Sequence, residues 1–209
     1  MQPRMKHTYT LLSILFALLL AGCSTQQSPK TGFSAPVEFA PVYVKELTPA
    51  PVDSSTLQPG LAATYYLDFF KRHLRHLPPE SEPGKPGKPI LQINHQFDKK
   101  VVFDSGYNRG VGMRLTGFIR FDATGVYEMQ ALSNDGVFLY IDDKLVISDP
   151  EQHADRMSNV GYVTIDQEGW YKMKLEYFQR KGTAALKLFW QTPVDGKQVP
   201  VPAKAYGHQ

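Results

Sequence analysis

The sequence predicts an all-β fold, either an antiparallel sandwich or a barrel. Apolar and polar side chains alternate over short stretches in the second half of the chain, for example in residues 113–121 and 170–178, as they do along a half-buried strand. Turn sequences separate these stretches, and no helical pattern comes between them. Because parallel strands need long crossover connections, this succession disfavours a parallel sheet.

Residues 1–22 have the composition of a secretion signal peptide. The first ten residues carry Arg4 and Lys6 and no acidic side chain, and residues 11–20 are apolar apart from one serine. This apolar run is too short to span a bilayer as a mature transmembrane helix. It is followed by Ala21-Gly22-Cys23, which contains the only cysteine of the chain, so no internal disulfide can form.

The sequence around Cys23 resembles the lipobox of bacterial lipoproteins. The resemblance implies cleavage before Cys23 and attachment of a diacylglycerol and an N-acyl chain to it, which together anchor a protein stably on a membrane. Ser24 stands where inner-membrane lipoproteins of enteric-type bacteria usually have aspartate, so the resemblance implies the outer membrane and leaves the membrane face open. An uncleaved signal followed by a chance cysteine is the alternative.

Residues 23–59 are predicted to form a flexible tether, because they are rich in Ser, Thr, Gln and Pro and have no long apolar period. A coil of this length spans roughly 35 Å, which would hold the folded domain clear of the bilayer. Within the tether, residues 33–43 repeat Ala-Pro-Val between aromatic residues. This segment would either dock on a partner or pack loosely on its own domain.

A short helix is predicted over residues 67–77. Its apolar side chains recur at spacings of three, four and three and would share one face: Leu67, Phe70, Leu74 and Leu77. The remaining faces are basic, which suits either a solvated surface or contact with phosphates. Pro78 ends the helix, and the prolines and glycines of residues 78–89 predict an exposed loop.

The predicted strands of the domain cover residues 113–121, 126–132, 137–141, 144–147, 170–178 and 184–190. In residues 170–178 the alternation places four apolar side chains on one side: Tyr171, Met173, Leu175 and Tyr177. Residues 122–125 form a turn, and Asp142-Asp143 forms a two-residue hairpin connection.

Nine short sequences carry a resemblance to a known family. They are residues 60–66, 113–119, 124–127, 133–136, 139–142, 144–147, 168–171, 175–178 and 186–190. In this order they resemble the protective-antigen (PA14) domain, a β-sandwich module of bacterial toxins, glycosidases and fungal adhesins. The resemblance implies an antiparallel β-sandwich of jelly-roll type over residues 60–205. Asp143 departs from it, because the family commonly has glycine at this hairpin position.

The same resemblance implies a ligand site in two loops. Sugar-binding members hold a calcium ion on an Asp-Asp pair, and the matching residues here are Asn134 and Asp135, whose oxygens suit Ca²⁺ but supply one carboxylate fewer. The second loop is Gln179, Arg180, Lys181 and Gly182, with glutamine in place of asparagine and two cations that oppose a bound cation. We expect a glycan site on these loops with weak calcium binding at Asn134 and Asp135. Ordinary turn chemistry at residues 133–136 is the alternative.

No catalytic or nucleic-acid-binding pattern stands out in the sequence. His153 and Asp155 share a loop and could be metal ligands or an acid/base pair, but the six histidines show no metal-ligand spacing. Neither a nucleophile elbow nor a phosphate loop is present. The 23 basic and 20 acidic side chains nearly balance, which gives no indication of nucleic-acid binding. We therefore expect a protein that is not an enzyme.

Two functions remain open from the sequence. The first is a membrane-anchored binding module of the bacterial cell envelope that recognises a glycan such as surface polysaccharide or peptidoglycan. Tyr107 or Trp170 would either stack on sugar rings or belong to the core. The second is a protein-interaction or scaffold lipoprotein of an envelope assembly, with neither sugar nor calcium binding, that uses Arg180, Lys181 and residues 33–43 as contacts.

Overall fold

The computed structural model of the protein describes residues 39–209. The signal sequence, Cys23 and the first part of the predicted tether lie outside this range, so the lipid anchor and the outer-membrane location stay predictions. Within residues 39–209, no helix is long and apolar enough to cross a membrane.

Fifteen strands and four short 3-10 turns make up the described part of the chain. The strands are β1 (Val42–Val44), β2 (Gln58–Pro59), β3 (Ala62–Leu67), β4 (Lys85–Pro86), β5 (Asn94–Asp98), β6 (Val111–Phe121), β7 (Gly125–Ser133), β8 (Val137–Ile141), β9 (Lys144–Asp149), β10 (Arg156–Met157), β11 (Gly161–Ile165), β12 (Gly169–Gln179), β13 (Ala184–Gln191), β14 (Gln198–Pro200) and β15 (Tyr206–His208). The turns are Ser54–Thr56, Phe70–Arg72, Leu74–His76 and Ala203–Ala205.

The strands form two sheets. The first has the order β1-β11-β7-β13-β14, with β5 beside β13 and β10 beside β7. The second has the order β2-β15-β6-β12-β8-β9, with β3 beside β6 and β4 beside β3. Apart from the parallel pair of β1 and β11, neighbouring strands in the described residues are antiparallel. This arrangement confirms the predicted antiparallel β-sandwich.

The core lies between the two sheets and consists of the apolar side chains that alternate along each strand. In β12 the predicted inward set is buried: Tyr171, Met173, Leu175 and Tyr177. Phe121 centres an aromatic cluster, with its ring centroid 4.7 Å from that of Tyr127 and 6.0 Å from that of Trp190. Each large side chain buried in this way contributes about 1.5–3 kcal/mol to folding.

The described part of the predicted tether lies on the sandwich instead of forming a flexible coil. β1 pairs with β11, the Tyr43 and Tyr162 rings stack at 5.0 Å, and the Val44 and Leu47 side chains are buried. The physical reason is the alternation in Val-Tyr-Val, which lets a short edge strand bury one face. The folded unit therefore begins before the predicted boundary at residue 60.

Two 3-10 turns replace the helix predicted over residues 67–77. Phe70, Lys71 and Arg72 have φ values of 48°, 46° and 69°, which no right-handed helix contains. Phe70, Leu74 and Leu77 are nevertheless buried, in a small cluster with Tyr66 and Phe178, so packing has overridden the helical pattern. Leu67 instead ends β3 and is 51% exposed.

Candidate functional site

Three loops meet at one end of the sandwich. The Asn134 loop (134–136) joins β7 to β8, the Lys181 loop (180–183) joins β12 to β13, and the Arg109 loop (99–110) joins β5 to β6. The strand registers bring them together, because Ser133 lies opposite Leu186 and Gln179 lies opposite Val111. The structure therefore places the predicted site residues at a single edge.

Direct hydrogen bonds connect the Asn134 loop to β13 and to the Lys181 loop. The Asn134 N–H donates to the Ala185 carbonyl at 2.9 Å, and the Arg180 N–H donates to Asp135 Oδ2 at 2.7 Å. Asn134 Nδ2 donates to Thr183 Oγ1 at 3.2 Å. The two loops that were predicted to form the site thus support each other.

Asp135 is a buried carboxylate at the centre of this arrangement. Its side chain is 1% exposed, and its φ of 65° lies in the left-handed region that aspartate tolerates better than most residues. Burial raises the pKa of the Asp135 carboxyl, and the hydrogen bond from the Arg180 N–H opposes this rise without cancelling it. A buried carboxyl whose pKa is shifted by its surroundings is often found at functional positions.

Asn134 contacts a residue that the sequence placed in a different loop. Its Nδ2 also donates to Asp155 Oδ1 at 2.6 Å, and Asp155 Oδ2 accepts a hydrogen bond from Gln96 at 3.2 Å. Both Nδ2 hydrogens are therefore used within the protein. Asp155 acts as a brace between β5 and the Asn134 loop rather than as half of an acid/base pair.

Gln179 supports the Lys181 loop from below and is fully buried. Its Nε2 donates to the Thr183 carbonyl at 2.9 Å, and its Oε1 accepts from the Tyr177 hydroxyl at 3.3 Å. The Gln179 side chain thus connects the two ends of the Lys181 loop. It does not reach the surface, where it was predicted to contact a ligand.

The side chains of Arg180 and Lys181 lie in different environments, one against an aromatic ring and the other in an exposed cleft. The Arg180 guanidinium lies over the Phe69 ring, 5.9 Å from its centroid. Lys181 is exposed and lines a cleft of about 380 Å³ together with Lys99, Asn108, Arg109 and Gly182. Lys99 and Arg109 were not predicted as site residues. The feature of the sequence that could have indicated them is the group of cations in residues 99–110, a segment that also contains two glycines.

The Arg109 loop is held in shape by its own hydrogen bonds. The Val102 N–H donates to the Tyr107 carbonyl at 2.9 Å, and the buried Ser105 hydroxyl accepts from the Tyr107 N–H at 3.1 Å. These bonds use only the backbone of Tyr107, whose side chain is 49% exposed. The loop therefore presents an aromatic ring on a fixed backbone.

Trp170, the other aromatic residue considered for sugar stacking, lies far from these loops. It is at the start of β12, whereas the Lys181 loop follows the end of that strand. Nine residues of strand span about 30 Å. Its partly buried ring lies under the Arg120 guanidinium at 5.9 Å, so Trp170 belongs to the opposite end of the sandwich.

The loop that follows β9 holds a structural ion pair. Arg156 Nε donates to Asp149 Oδ2 at 2.9 Å, and His153 Nε2 lies 3.1 Å from the same oxygen. Burial raises the pKa of Asp149, but the hydrogen bonds and charges of Arg156 and His153 outweigh burial and hold the pKa below its ordinary value. With one carboxylate bound to both neighbours, His153 and Asp155 do not form the acid/base pair that the sequence allowed.

Asn134 and Asp135 offer few free side-chain oxygens to a calcium ion in this arrangement. Ca²⁺ takes six to eight oxygen ligands, whereas Asp135 Oδ2 already accepts the Arg180 N–H. Across residues 39–209, no group of three or more His, Cys, Asp or Glu side chains is placed to hold a metal ion. The arrangement can offer hydrogen-bonding groups, an aromatic ring and cations to a ligand.

Comparison with known proteins finds a curated relative that matches about half of the chain. It is 27% identical over 112 residues to the anti-sigma-I factor RsgI3 of Acetivibrio thermocellus, and the match covers 54% of this chain and 17% of that protein. The chain thus spans less than a fifth of the length of this curated relative.

Two solved structures share the fold. The PA14 domain of the MpAFP antifreeze protein superposes with a TM-score of 0.62 at 15% identity, over 76% of this chain and 96% of that one. The Epithelial Adhesin 6 A domain (Epa6A) of Candida glabrata, solved in complex with Galb1-3GlcNAc, gives a TM-score of 0.58 at 16% identity over 78% and 92%. Residues 57–204 match the PA14 domain, which is more than half of the chain, and the chain therefore belongs to the PA14 domain family.

Proposed function

We propose that this protein is a non-catalytic, lipid-anchored binding module of the bacterial cell envelope that recognises glycans through the three loops at one end of its sandwich. The observation that carries the proposal is the exposed Tyr107 ring, held on a backbone fixed by internal hydrogen bonds beside the Asn134 and Lys181 loops. Rigid loops with an exposed aromatic ring bind with a small loss of conformational entropy.

The chemistry of these loops suits a sugar. A sugar ring offers an apolar face that stacks on an aromatic side chain and hydroxyl groups that need donors and acceptors. Tyr107 supplies the ring, and the exposed Thr183 hydroxyl and Lys181 ammonium supply polar groups. The fold is also that of a domain solved in complex with Galb1-3GlcNAc, which supports a glycan as the class of ligand.

A glycan array with the purified protein tests the proposal. We expect the Tyr107→Ala variant to lose about tenfold in glycan affinity, because stacking and burial of an aromatic ring contribute about 1.5 kcal/mol. Tyr43→Ala is the matched control, since Tyr43 is 67% exposed on edge strand β1. Equal loss in both variants, or none in Tyr107→Ala, would contradict the proposed site.

A scaffold role in an envelope assembly is the second candidate. Leu67 and Phe69 are 51% and 46% exposed, and Arg180 lies over the Phe69 ring, which gives an apolar patch with a cation beside the loops. Aromatic and arginine side chains are enriched where proteins bind each other. Photo-crosslinking from position 69 in cells would capture a specific protein partner if this function holds, and position 194, which is 76% exposed between β13 and β14, serves as the control.

A further inference from the structure

We propose that the ligand is an acidic glycan, and that its carboxylate or phosphate groups bind in the cleft formed by Lys99, Arg109 and Lys181. This inference rests on the proposed glycan-binding function and names the chemical class of the ligand.

The cleft is lined mainly by cations. Its five lining residues are Lys99, Asn108, Arg109, Lys181 and Gly182, its volume is about 380 Å³, and all five are exposed. This volume lies within the range of about 300–1,000 Å³ that is usual for ligand sites. Three cationic side chains therefore share one small concave surface.

These cations have no carboxylate partner in the part of the chain that the structure describes. Elsewhere in residues 39–209 some cations are paired, with Arg114 on Glu176, Arg156 on Asp149 and Lys174 on Glu80. None of the ion pairs within 4 Å involves Lys99, Arg109 or Lys181. Like charges gathered without counter-charges repel one another, and a bound anion removes this repulsion.

Three carboxylates near these loops form no ion pair with the cleft cations. Asp135 is 1% exposed and accepts a hydrogen bond from the Arg180 N–H, so it lies beneath the Lys181 loop. Asp68 Oδ1 accepts a hydrogen bond from the Phe69 N–H at 2.6 Å. Asp98 precedes Lys99 in the sequence, is exposed, and forms no ion pair with a described residue. Within residues 39–209, the three cations of the cleft therefore have no carboxylate partner within 4 Å.

The two loops that carry the cations are joined to each other. The Gly110 N–H donates to the Arg180 carbonyl at 2.9 Å, which connects the Arg109 loop to the Lys181 loop. Within the Arg109 loop, Asn108 Nδ2 donates to the Lys99 carbonyl at 3.1 Å. The backbones that carry Lys99, Arg109 and Lys181 are thus held at fixed positions before any ligand arrives, which favours binding.

The residue types fit carboxylates and phosphates on a sugar chain. The Arg109 guanidinium matches both groups with two parallel N–H donors, and the lysine ammonium groups act as point charges. Tyr107 on the same loop offers a ring to the sugar itself. The positive field also opposes a bound Ca²⁺, so we expect binding to persist in the presence of a chelator.

The test compares acidic glycans with neutral copies of the same glycans. Titration calorimetry with the purified full chain would use a mannuronate oligosaccharide and its methyl ester, and a phosphomannan oligosaccharide and its dephosphorylated form. We expect at least one acidic form to bind and its neutral copy to bind about tenfold more weakly, because the neutral copy loses the charge-assisted hydrogen bonds to the cleft. The two pairs distinguish a carboxylate ligand from a phosphate ligand. Binding of the acidic form should weaken as salt is raised.

Charge-removing variants assign the effect to the cleft. Lys99→Gln, Arg109→Gln and Lys181→Gln should each weaken binding of the acidic form by about threefold to tenfold. Lys197→Gln is the control, because Lys197 is an exposed lysine in the loop between β13 and β14, at the other end of β13 from the Lys181 loop. Polyglutamate is the control for charge alone, and it should bind more weakly than the acidic glycan.

The failures of the two proposals differ. Equal binding of acidic and neutral forms, with loss in Tyr107→Ala, would overturn the acidic-ligand inference and leave the glycan-binding function in place. Polyglutamate binding as tight as the acidic glycan would overturn the inference as well, since charge would then suffice. An array on which neither acidic nor neutral glycans bind would overturn both.

Discussion

Asp142 and Asp143 connect β8 to β9 with φ values of 50° and 60°. Two consecutive positive values define a type I′ turn, in which glycine is favoured at the second position. Asp143 therefore sits in a conformation that glycine adopts with less steric cost. We expect Asp143→Gly to stabilise the protein by about 0.5–1 kcal/mol and to raise its melting temperature by about 2 °C in a thermal scan.

Asp142→Gly is the matched control for this turn. Asp142 Oδ2 accepts a hydrogen bond from the Thr48 N–H at 2.9 Å, which connects the hairpin to the segment after β1. Loss of this bond should offset any conformational gain at position 142. A lower melting temperature for Asp143→Gly than for the wild-type protein would show that the Asp143 side chain contributes more than its backbone strain costs.

Asp149 makes the protein sensitive to acid. Because Arg156 and His153 hold its pKa below the ordinary value of about 4, the stability that Asp149 contributes is complete above that value. This contribution is lost as the pH falls through the folded-state pKa. We expect Asp149→Asn to destabilise the protein by about 2–3 kcal/mol at neutral pH, since it leaves Arg156 without its counter-charge.

Urea unfolding from pH 7 down to pH 3 checks this expectation. The difference between wild type and Asp149→Asn should stay constant down to about pH 5 and shrink below about pH 4. Asp122→Asn removes an exposed carboxylate paired with Arg120 and should change the stability little at any pH. If the difference in unfolding free energy between wild type and Asp149→Asn grew as the pH fell, the pKa of Asp149 would not be lowered in the folded protein.

Some residues of the candidate site could be predicted from the sequence and others could not. Asn134, Asp135 and Lys181 were expected near one another, because the resemblance to the PA14 domain assigns them to the two ligand loops of its sugar-binding members. Gln179 was expected at the surface and is buried, since nothing local shows that its amide closes the loop. Lys99 and Arg109 were missed. They reach Lys181 because β5 pairs with β13 and β6 pairs with β12. No local sequence pattern predicts these pairings between distant strands.

At the scale of elements, β1 is the part that differs most from expectation. It forms a parallel edge strand on β11, and the Leu47 side chain that follows it is 7% exposed. We expect Leu47→Ala to destabilise the protein by about 2 kcal/mol, because truncation of a buried leucine loses apolar contact and leaves a cavity. Urea unfolding at neutral pH measures this loss.

Tyr43→Ala provides the comparison within the same segment. Tyr43 is 67% exposed, and among the described aromatic rings its ring stacks only on Tyr162. Because a single exposed aromatic contact contributes little, we expect Tyr43→Ala to destabilise the protein by less than about 1 kcal/mol. Unchanged stability in Leu47→Ala would indicate that this segment is a free tether in solution, as its composition suggests.

The long strands were predictable, because each buries one face against the core. β6, β7, β8, β9, β12 and β13 lie within two residues of the predicted bounds. β5 was missed because Phe97 is its only buried side chain, and a single apolar residue gives no period. The helix predicted over residues 67–77 is wrong although its apolar spacing is helical. Phe70, Leu74 and Leu77 are buried in their cluster by two turns. Tertiary hydrogen bonds hold these turns, for example from the Leu74 N–H to the Pro150 carbonyl.

At the scale of the whole molecule, the proposed function requires the folded unit to be held at a membrane. The lipobox resemblance assigns this role to Cys23, whose acyl chains would anchor the protein stably. We expect Cys23→Ser to move the protein from the membrane pellet to the soluble fraction after cell lysis, as seen by immunoblot. A variant that stays wholly in the pellet would contradict the anchor.

The central claim is that the loops at one end of this sandwich bind a glycan without calcium. A glycan array probed with the purified protein, with and without a chelator, tests it most directly. We expect signals that persist in the chelator and weaken in the Tyr107→Ala variant. A blank array for the wild-type protein, or signals that vanish when calcium is removed, would contradict it.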